Sequence, residues 1–293
     1  MIAIDWGTSS FRAYRLDADG RVLDRRSAPL GILNVEGGKF AEALESQAGD
    51  WLAAGEAPVV MSGMIGSRQG WVEAPYASCP AGAQEIAAAM REVRWGAYRA
   101  WIAPGLSSRD ASGVPDVMRG EETQIIGVLD RLPASGAWIC LPGTHSKWAE
   151  VRGDKILRFS THMTGEVFAV MKGHSILGRM ISDAPPDTAW FEAGVRRAQD
   201  AGGLLHHLFG VRARGLFGEV PNEGAASYLS GILIGHELAC VEASDGPVYL
   251  LGAAPLVELY QRALASMGRD GIALDPDAAV RGLQRLARDL PRS

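Results

Sequence analysis

A short design that occurs twice constrains the fold more than any other feature of the chain. Asp5-Trp6-Gly7-Thr8-Ser9-Ser10 near the amino end and Leu141-Pro142-Gly143-Thr144-His145-Ser146 in the middle each follow an apolar run, residues 1–4 and 138–141. Each is followed by a second strand-like run, a turn that combines Gly with Asp, and a third run. Each copy therefore reads as a strand-turn-strand-turn-strand sheet. Gly7, Thr8 and Ser10 align with Gly143, Thr144 and Ser146 at one constant offset. A chain carrying such a repeat is expected to fold as two related halves, one copy in each.

A Gly-Thr/Ser turn between strands gathers backbone N–H groups and hydroxyls at one point, and Gly lets a ligand approach the backbone closely. One such turn ordinarily satisfies only its own backbone. Two in tandem halves suit the oxygens of one polyphosphate. Asp5 ends the first strand, where a carboxylate can hold hydrated Mg²⁺ beside that polyphosphate.

The 293 residues suffice for two domains of ordinary size. A net charge of -5 leaves no basic footprint, which argues against nucleic acid and anionic membrane as partners. Cys79, Cys140 and Cys240 are widely spaced and form no Cys-x-x-Cys, the pattern of reduced structural thiols. His206-His207 has no Cys or carboxylate at ligand spacing, so metal is not expected there. The sequence enters a strand at once, with no targeting segment ahead of it and no apolar stretch of membrane-spanning length. These readings together point to a cytoplasmic protein. A homodimer stays open.

Between the two copies, Phe40, Leu44, Gln47 and Trp51 fall at helical spacing, and residues 58–61 read as a buried strand. Ser62-Gly63-Met64-Ile65-Gly66-Ser67-Arg68-Gln69-Gly70-Trp71 follows, too rich in Gly for a regular element. A loop at the carboxyl end of a strand is where open α/β sheets bind ligands. Ser62, Gly63, Gly66, Arg68 and Trp71 are its candidate substrate contacts, with Arg68 an anion contact or a surface residue and Trp71 a packed lid. Residues 84–93 read as helix. Asp116 precedes a helical face of Ile125, Val128, Leu129 and Leu132 that is expected to bridge the halves, and on local grounds it is a helix N-cap. Residues 187–202, 204–208 and 225–242 read as helical, with Gly231 and Gly235 sharing a face that permits a close crossing. The terminal helix, about residues 277–290, presents Arg281, Arg285 and Arg288 on a solvated side.

The paired turns resemble the two phosphate hairpins of the sugar kinase, Hsp70 and actin superfamily. Val248-Tyr249-Leu250-Leu251-Gly252-Ala253-Ala254-Pro255 resembles that superfamily's adenosine motif. The resemblance implies an α/β fold of two ribonuclease-H-like domains with an ATP cleft between them, here residues 1–118 and 119–293. More narrowly, Asp5-Trp6-Gly7-Thr8-Ser9, Ser62-Gly63-Met64-Ile65-Gly66-Ser67-Arg68, Arg119-Gly120-Glu121-Glu122-Thr123-Gln124 and Pro142-Gly143-Thr144-His145-Ser146-Lys147-Trp148 resemble the 2-dehydro-3-deoxygalactonokinases. Members of that family use ATP to phosphorylate the terminal hydroxyl of 2-keto-3-deoxy-galactonate, a small sugar acid.

By that resemblance Gly7, Thr8, Ser9, Gly143, Thr144 and Ser146 fall to the phosphates of ATP, Gly252 and Ala253 to its adenosine, and Asp5 to Mg²⁺. Arg12 resembles an arginine that follows this turn in carbohydrate kinases, or is merely solvated. His145 either donates to phosphate or only shapes its loop, and Lys147 offers phosphate a point charge. Many sugar kinases carry an aspartate base in the second phosphate turn, where this chain has His145. Asp116 resembles the placement of the aspartate in glucokinase-like members and is the first candidate base, with Glu121 in reserve. Two other readings stay open at this point: an ATP-gated binding protein, and another small-acid kinase or phosphatase on the same fold.

Overall fold

The computed structural model describes residues 1–241, 246–275 and 277–290. Its contacts divide the chain into two compact units. The first comprises Met1–Gly136, Ala149–Ser160 and Asp275–Ser293, and the second Ala137–Trp148 and Thr161–Leu274.

The chain opens with β1 (Ile2–Trp6), β2 (Phe11–Leu16), β3 (Val22–Ala28), α1 (Phe40–Ala53) and β4 (Val59–Ser62). It continues with β5 (Tyr76–Ser78), β6 (Ala81–Gly82), α2 (Ala83–Ala88), β7 (Arg91–Trp95), β8 (Tyr98–Ile102), β9 (Gly105–Arg109), β10 (Pro115–Met118) and α3 (Glu121–Ile126). A six-stranded sheet has the order β3-β2-β1-β4-β8-β7, and β10-β9-β5 form a small second sheet. β1 is antiparallel to β2 and parallel to β4, with Asp5 opposite both Arg12 and Ser62. Nearly every residue of β1 and β4 is buried, as expected of strands covered on both faces. Trp6 anchors the core beneath the first turn. Its ring meets Phe11 and Phe40 edge-on at 4.9 and 5.8 Å, and its indole N–H donates to the Leu30 carbonyl at 2.8 Å. α1 covers this face because Phe40, Leu44, Ala48 and Trp51 recur once per turn and are all buried.

The second copy gives β11 (Ala137–Leu141), β12 (Ser146–Arg152) and β13 (Lys155–His162). Then come α4 (Thr164–His174), α5 (Thr188–Ala198), α6 (Gly203–Leu216), α7 (Asn222–Cys240), β14 (Val248–Leu250), α8 (Ala254–Ser266), β15 (Gly271–Ala273) and α9 (Ala278–Arg288). The third sheet has the order β15-β14-β11-β12-β13-β6, and the division between the units runs through β12 and β13. α5 and α7 cross at glycines. A Cβ on Gly194 would lie 2.3 Å from the Tyr228 carbonyl, and one on Gly231 2.0 Å from that of Phe191, so neither tolerates a side chain. The expected end of α7, Glu242, lies outside the described residues. No helix among the described residues is long and apolar enough to cross a membrane.

Four local expectations are corrected. Residues 84–93 form a short α2 followed by β7, because Arg91 to Trp95 pair antiparallel with β8. Asp116 caps no helix. It sits in β10 opposite Ser108, because Asp110 closes a β9–β10 turn by accepting the Ser112 and Val114 N–H groups, each at 2.9 Å. The helix begins only at Glu121, after Gly120 at φ 107°. It bridges nothing, since α3 and the turn behind it stay within the first unit, where Gly127 and Gly282 permit a close crossing with α9. Arg281 and Arg285 are not merely solvated. They donate to the Gly127 and Ile126 carbonyls at 3.0 and 2.8 Å, satisfying the carboxyl end of α3.

Candidate active site

In the first unit the polar groups collect at the carboxyl ends of β1 and β4. The first turn is closed by the Gly7 N–H donating to the Ser10 carbonyl at 2.9 Å, which leaves Thr8 and Ser9 exposed. Gly31 lies directly against this turn, where an added Cβ would come within 2.2 Å of the Thr8 carbonyl. Sequence reasoning missed Gly31, since a Gly after Leu30 carries no motif of its own. Asp5 is largely buried and ion-paired to Arg12 at 2.8 Å. Burial pushes its carboxyl pKa up, and the Arg12 guanidinium opposes that only in part.

The loop after β4 packs against Asp5. Gly63 holds φ 94°, and a Cβ there would reach 2.7 Å from the Trp6 carbonyl and 3.5 Å from the Asp5 carboxylate. A Cβ on Gly120 would lie 3.2 Å from the Gly63 α-carbon, so the start of α3 joins the same place. There Glu121 accepts the Arg119 N–H at 3.0 Å and Glu122 accepts the Gly120 N–H at 2.7 Å. Glu122 is fully buried. Its pKa is pushed up to about 7 by burial first and by the neighbouring Glu121 second. Asp116 sits on β10 of the small sheet, its carboxylate accepting the Val117 N–H at 2.7 Å.

The loop's other candidates divide. Ser62 is wholly buried with its hydroxyl unpaired, and Gly66 is buried. Trp71 packs on Trp95 with ring centroids 5.0 Å apart, as a packed aromatic should. Arg68 is exposed and paired with Glu73 at 3.2 Å.

In the second unit Gly143 and Thr144 form the apex of the second turn, and a Cβ on Gly143 would touch nothing within 4 Å. Gly165, in the first turn of α4, packs under this apex, and the Glu166 N–H donates to the Thr144 carbonyl at 3.0 Å. His145 is half exposed and hydrogen-bonded to Glu166. Lys147 is buried, with its ammonium donating to Thr161 at 2.8 Å. Ser146 is also buried, and its hydroxyl shares a hydrogen bond with Tyr260 at 2.8 Å. The Leu251 N–H donates to the Cys140 carbonyl at 3.0 Å, and a Cβ on Gly252 would lie 3.4 Å from that of Pro142. The Gly252-Ala253 turn and the second Gly-Thr turn are therefore neighbours. Beside them lies a cavity of about 470 Å³, with Gly143, Thr164, Pro255, Leu256, Leu259 and Tyr260 in its wall. That is ample for a nucleoside.

Glu237, on α7, ties these parts together, and no motif pointed to it. Its carboxylate accepts the Trp148 indole N–H at 2.7 Å, the Tyr260 hydroxyl at 2.7 Å and the Thr164 hydroxyl. An acid in the largely apolar second half of the helix was the available signal. Burial first, then Glu237, drives the Tyr260 pKa well above its ordinary value, so the phenol stays protonated and donates. Among the described residues no cluster of three or more His, Cys, Asp or Glu could hold a metal. Asp5, a single carboxylate at the end of β1 beside the first Gly-Thr turn and paired with Arg12, has the donor chemistry that Mg²⁺ takes where phosphate oxygens and water complete its shell.

Comparison with known proteins fits this geometry. An activator of 2-hydroxyisocaproyl-CoA dehydratase from Clostridium difficile, solved with ADPNP, superposes with a TM-score of 0.50 at 13% identity over 99% of this chain and 94% of that one, a likeness of fold alone. With two units and a strand-turn-strand repeat that opens a sheet twice, the molecule has the α/β fold shared by sugar kinases, Hsp70 and actin. A profile of the family described as 2-keto-3-deoxy-galactonokinase matches residues 5–286. A protein of Rhizobium meliloti (strain 1021) named probable 2-dehydro-3-deoxygalactonokinase DgoK1 is 40% identical over 98% of this chain and 96% of its own. The 2-dehydro-3-deoxygalactonokinase of Escherichia coli (strain K12) is 36% identical over 98% and 97%. A crystal structure from Sinorhizobium meliloti, assigned as a 2-dehydro-3-deoxygalactonokinase, matches with a TM-score of 0.88 at 39% identity over 98% of both chains. The chain belongs to the 2-keto-3-deoxy-galactonokinase family, and with it to the carbohydrate kinases.

Proposed function

We propose that the protein transfers the terminal phosphoryl group of ATP to the terminal hydroxyl of 2-dehydro-3-deoxy-D-galactonate. The observation that carries this reading is the full-length match to 2-dehydro-3-deoxygalactonokinases in a chain that retains both Gly-Thr turns.

Phosphoryl transfer asks a protein for positioning and charge neutralisation more than for covalent chemistry. Thr8 and Ser9 in the first turn and Gly143 and Thr144 in the second are assigned to phosphate oxygens through exposed backbone and hydroxyl groups. Gly252 and Ala253, beside the cavity of the second unit, are assigned to the adenosine. Asp5 would hold Mg²⁺, which when bound supplies charge neutralisation at the phosphates. Arg12 orients the Asp5 carboxylate. His145 shapes the second turn with Glu166. The buried Ser146 and Lys147 brace that turn from within, through Tyr260 and Thr161. Asp116 is the first candidate for accepting the proton of the acceptor hydroxyl, and Glu121 the second.

The test is to incubate the purified protein with Mg-ATP and a panel of 2-keto-3-deoxy sugar acids, aldonic acids and neutral sugars while following ADP. Rapid release only with a keto acid is expected. Release that ignores the acceptor would instead favour an ATP-gated binding protein, and release with a neutral sugar would move the acceptor to another class.

A further inference from the structure

Arg119 precedes the Gly120 that packs on Gly63, and its guanidinium lies under the loop after β4. The guanidinium stacks over the Tyr76 ring at 4.4 Å and donates from Nη2 to the Ala74 carbonyl at 2.9 Å. Its other two nitrogens, Nε and Nη1, are buried and have no hydrogen-bond partner among the described residues. The Ser62 hydroxyl at the end of β4 and the Ser67 hydroxyl on the loop that follows it are buried and unpaired as well. Four orphaned polar atoms thus gather around one short loop. A buried unpaired donor is costly, more so on a cation, and a fold that keeps several together calls for a specific explanation.

The loop itself shows why they lie so close. A Cβ on Gly66 would sit 3.0 Å from Nη1 and 2.8 Å from Ile102, so only Gly lets the backbone rest against the guanidinium. The same loop begins opposite Asp5, at Ser62. An anion entering beside Asp5 therefore meets, behind residues 63–67, a planar cation already held by an aromatic ring and a carbonyl. Such preset donors are what a carboxylate needs. Arg68, the other arginine of this region, is exposed and already paired with Glu73.

We propose that Arg119 is the residue that reads the acceptor's carboxylate. Nη1 takes up a carboxylate oxygen as the loop moves outward, Nε donates along the other edge of the guanidinium, and Ser62 and Ser67 supply hydroxyls to the oxygens next to it. Arg119 would then make the site selective for sugar acids over neutral sugars. This inference rests on the acceptor class proposed above.

The experiment compares the 2-keto-3-deoxy acid with its neutral carboxamide as acceptors for the wild type, Arg119→Gln, Arg119→Lys and Arg68→Ala. Wild-type protein should prefer the acid strongly. Arg119→Gln should raise the KM for the acid on the order of 10²-fold, leave that for the carboxamide and for ATP near wild type, and so erase the preference. Arg68→Ala should keep it. A brace that merely holds the loop through Ala74 and Tyr76 predicts instead that acid and carboxamide lose activity alike in Arg119→Gln, and that result overturns the proposal. Arg119→Lys keeps the cation but loses the donor geometry. If the Gln variant does not fold, an undiminished acid preference in the Lys variant counts against the proposal, as does a wild-type structure with the acid bound whose carboxylate lies away from Arg119. A wild type that ignores the acid altogether would sink the proposed acceptor rather than the role of Arg119 within it.

Discussion

Asp5 and Glu122 are buried carboxylates on neighbouring segments, and burial raises the pKa of both. Asp5 has Arg12 as counter-ion. Glu122 accepts hydrogen bonds from the Gly120 N–H and from the Thr123 hydroxyl, the latter at 2.9 Å. With a folded pKa of about 7 against an ordinary 4.5, Glu122 binds its proton more tightly in the folded state. Its stabilising contribution is therefore full below about pH 4.5 and is lost as pH rises through about 7, a change on the order of 3 kcal/mol. Glu122→Gln can keep both hydrogen bonds, with its oxygen facing Gly120 and its amide facing Thr123. The stability of this variant relative to wild type should rise between about pH 5 and pH 8 in denaturant titrations. An unchanged difference would mean that Glu122 is already ionised in the fold. For Asp116, correction of the helix-cap reading sharpens the test, because no cap is lost on substitution. Asp116→Asn should lower kcat by roughly 10² to 10⁴-fold with the melting temperature little changed. Near-normal turnover would move the role of base to Glu121, where Glu121→Gln should then show the loss.

The glycine of the second turn and the glycine packed against the first have different surroundings, and this separates folding from binding. Gly143 faces open space, so Gly143→Val should fold normally and raise the KM for ATP by intruding where phosphate oxygens belong. Gly31 is wedged against the backbone of Thr8 and Ser9, and Gly31→Ala should displace the first turn and lower the melting temperature as well. If thermal melts and ATP titrations show Gly143→Val with both an intact fold and unchanged ATP affinity, the second turn does not contact the nucleotide. These turns were legible in the sequence because Gly-Thr-x-Ser recurs at a fixed offset after an apolar run, a purely local pattern. What brackets them was not legible. Gly31 and Gly165 act through contacts between residues distant in sequence and carry no local signature, while Arg119, although it opens a motif, and Glu237, an acid in an apolar run, show what they do only through such contacts. Arg281 and Arg285 looked solvated for the same reason, since the carbonyls they satisfy lie at Ile126 and Gly127. Asp116 was misread because a charged residue shortly before an apolar helical face suits a cap and a strand end equally well, and the hairpin that decides between them depends on pairing with Ser108.

Across the whole molecule, the repeat foretold two related sheets but not where the chain divides. The contacts return residues 149–160 and the segment from Asp275 to the first unit. α9 belongs there because Gly127 and Gly282 let it cross α3 at backbone distance, a pairing that hydrophobic periodicity cannot reveal. The proposed reaction phosphorylates one particular oxygen of a sugar acid, and phosphorus–proton correlation NMR of the product formed from Mg-ATP and 2-dehydro-3-deoxy-D-galactonate tests it most directly. The expected result is a phosphomonoester coupled to the two protons of the terminal carbon, formed in step with ADP. Phosphate on a secondary hydroxyl or on the carboxylate, or free inorganic phosphate alone, would contradict it.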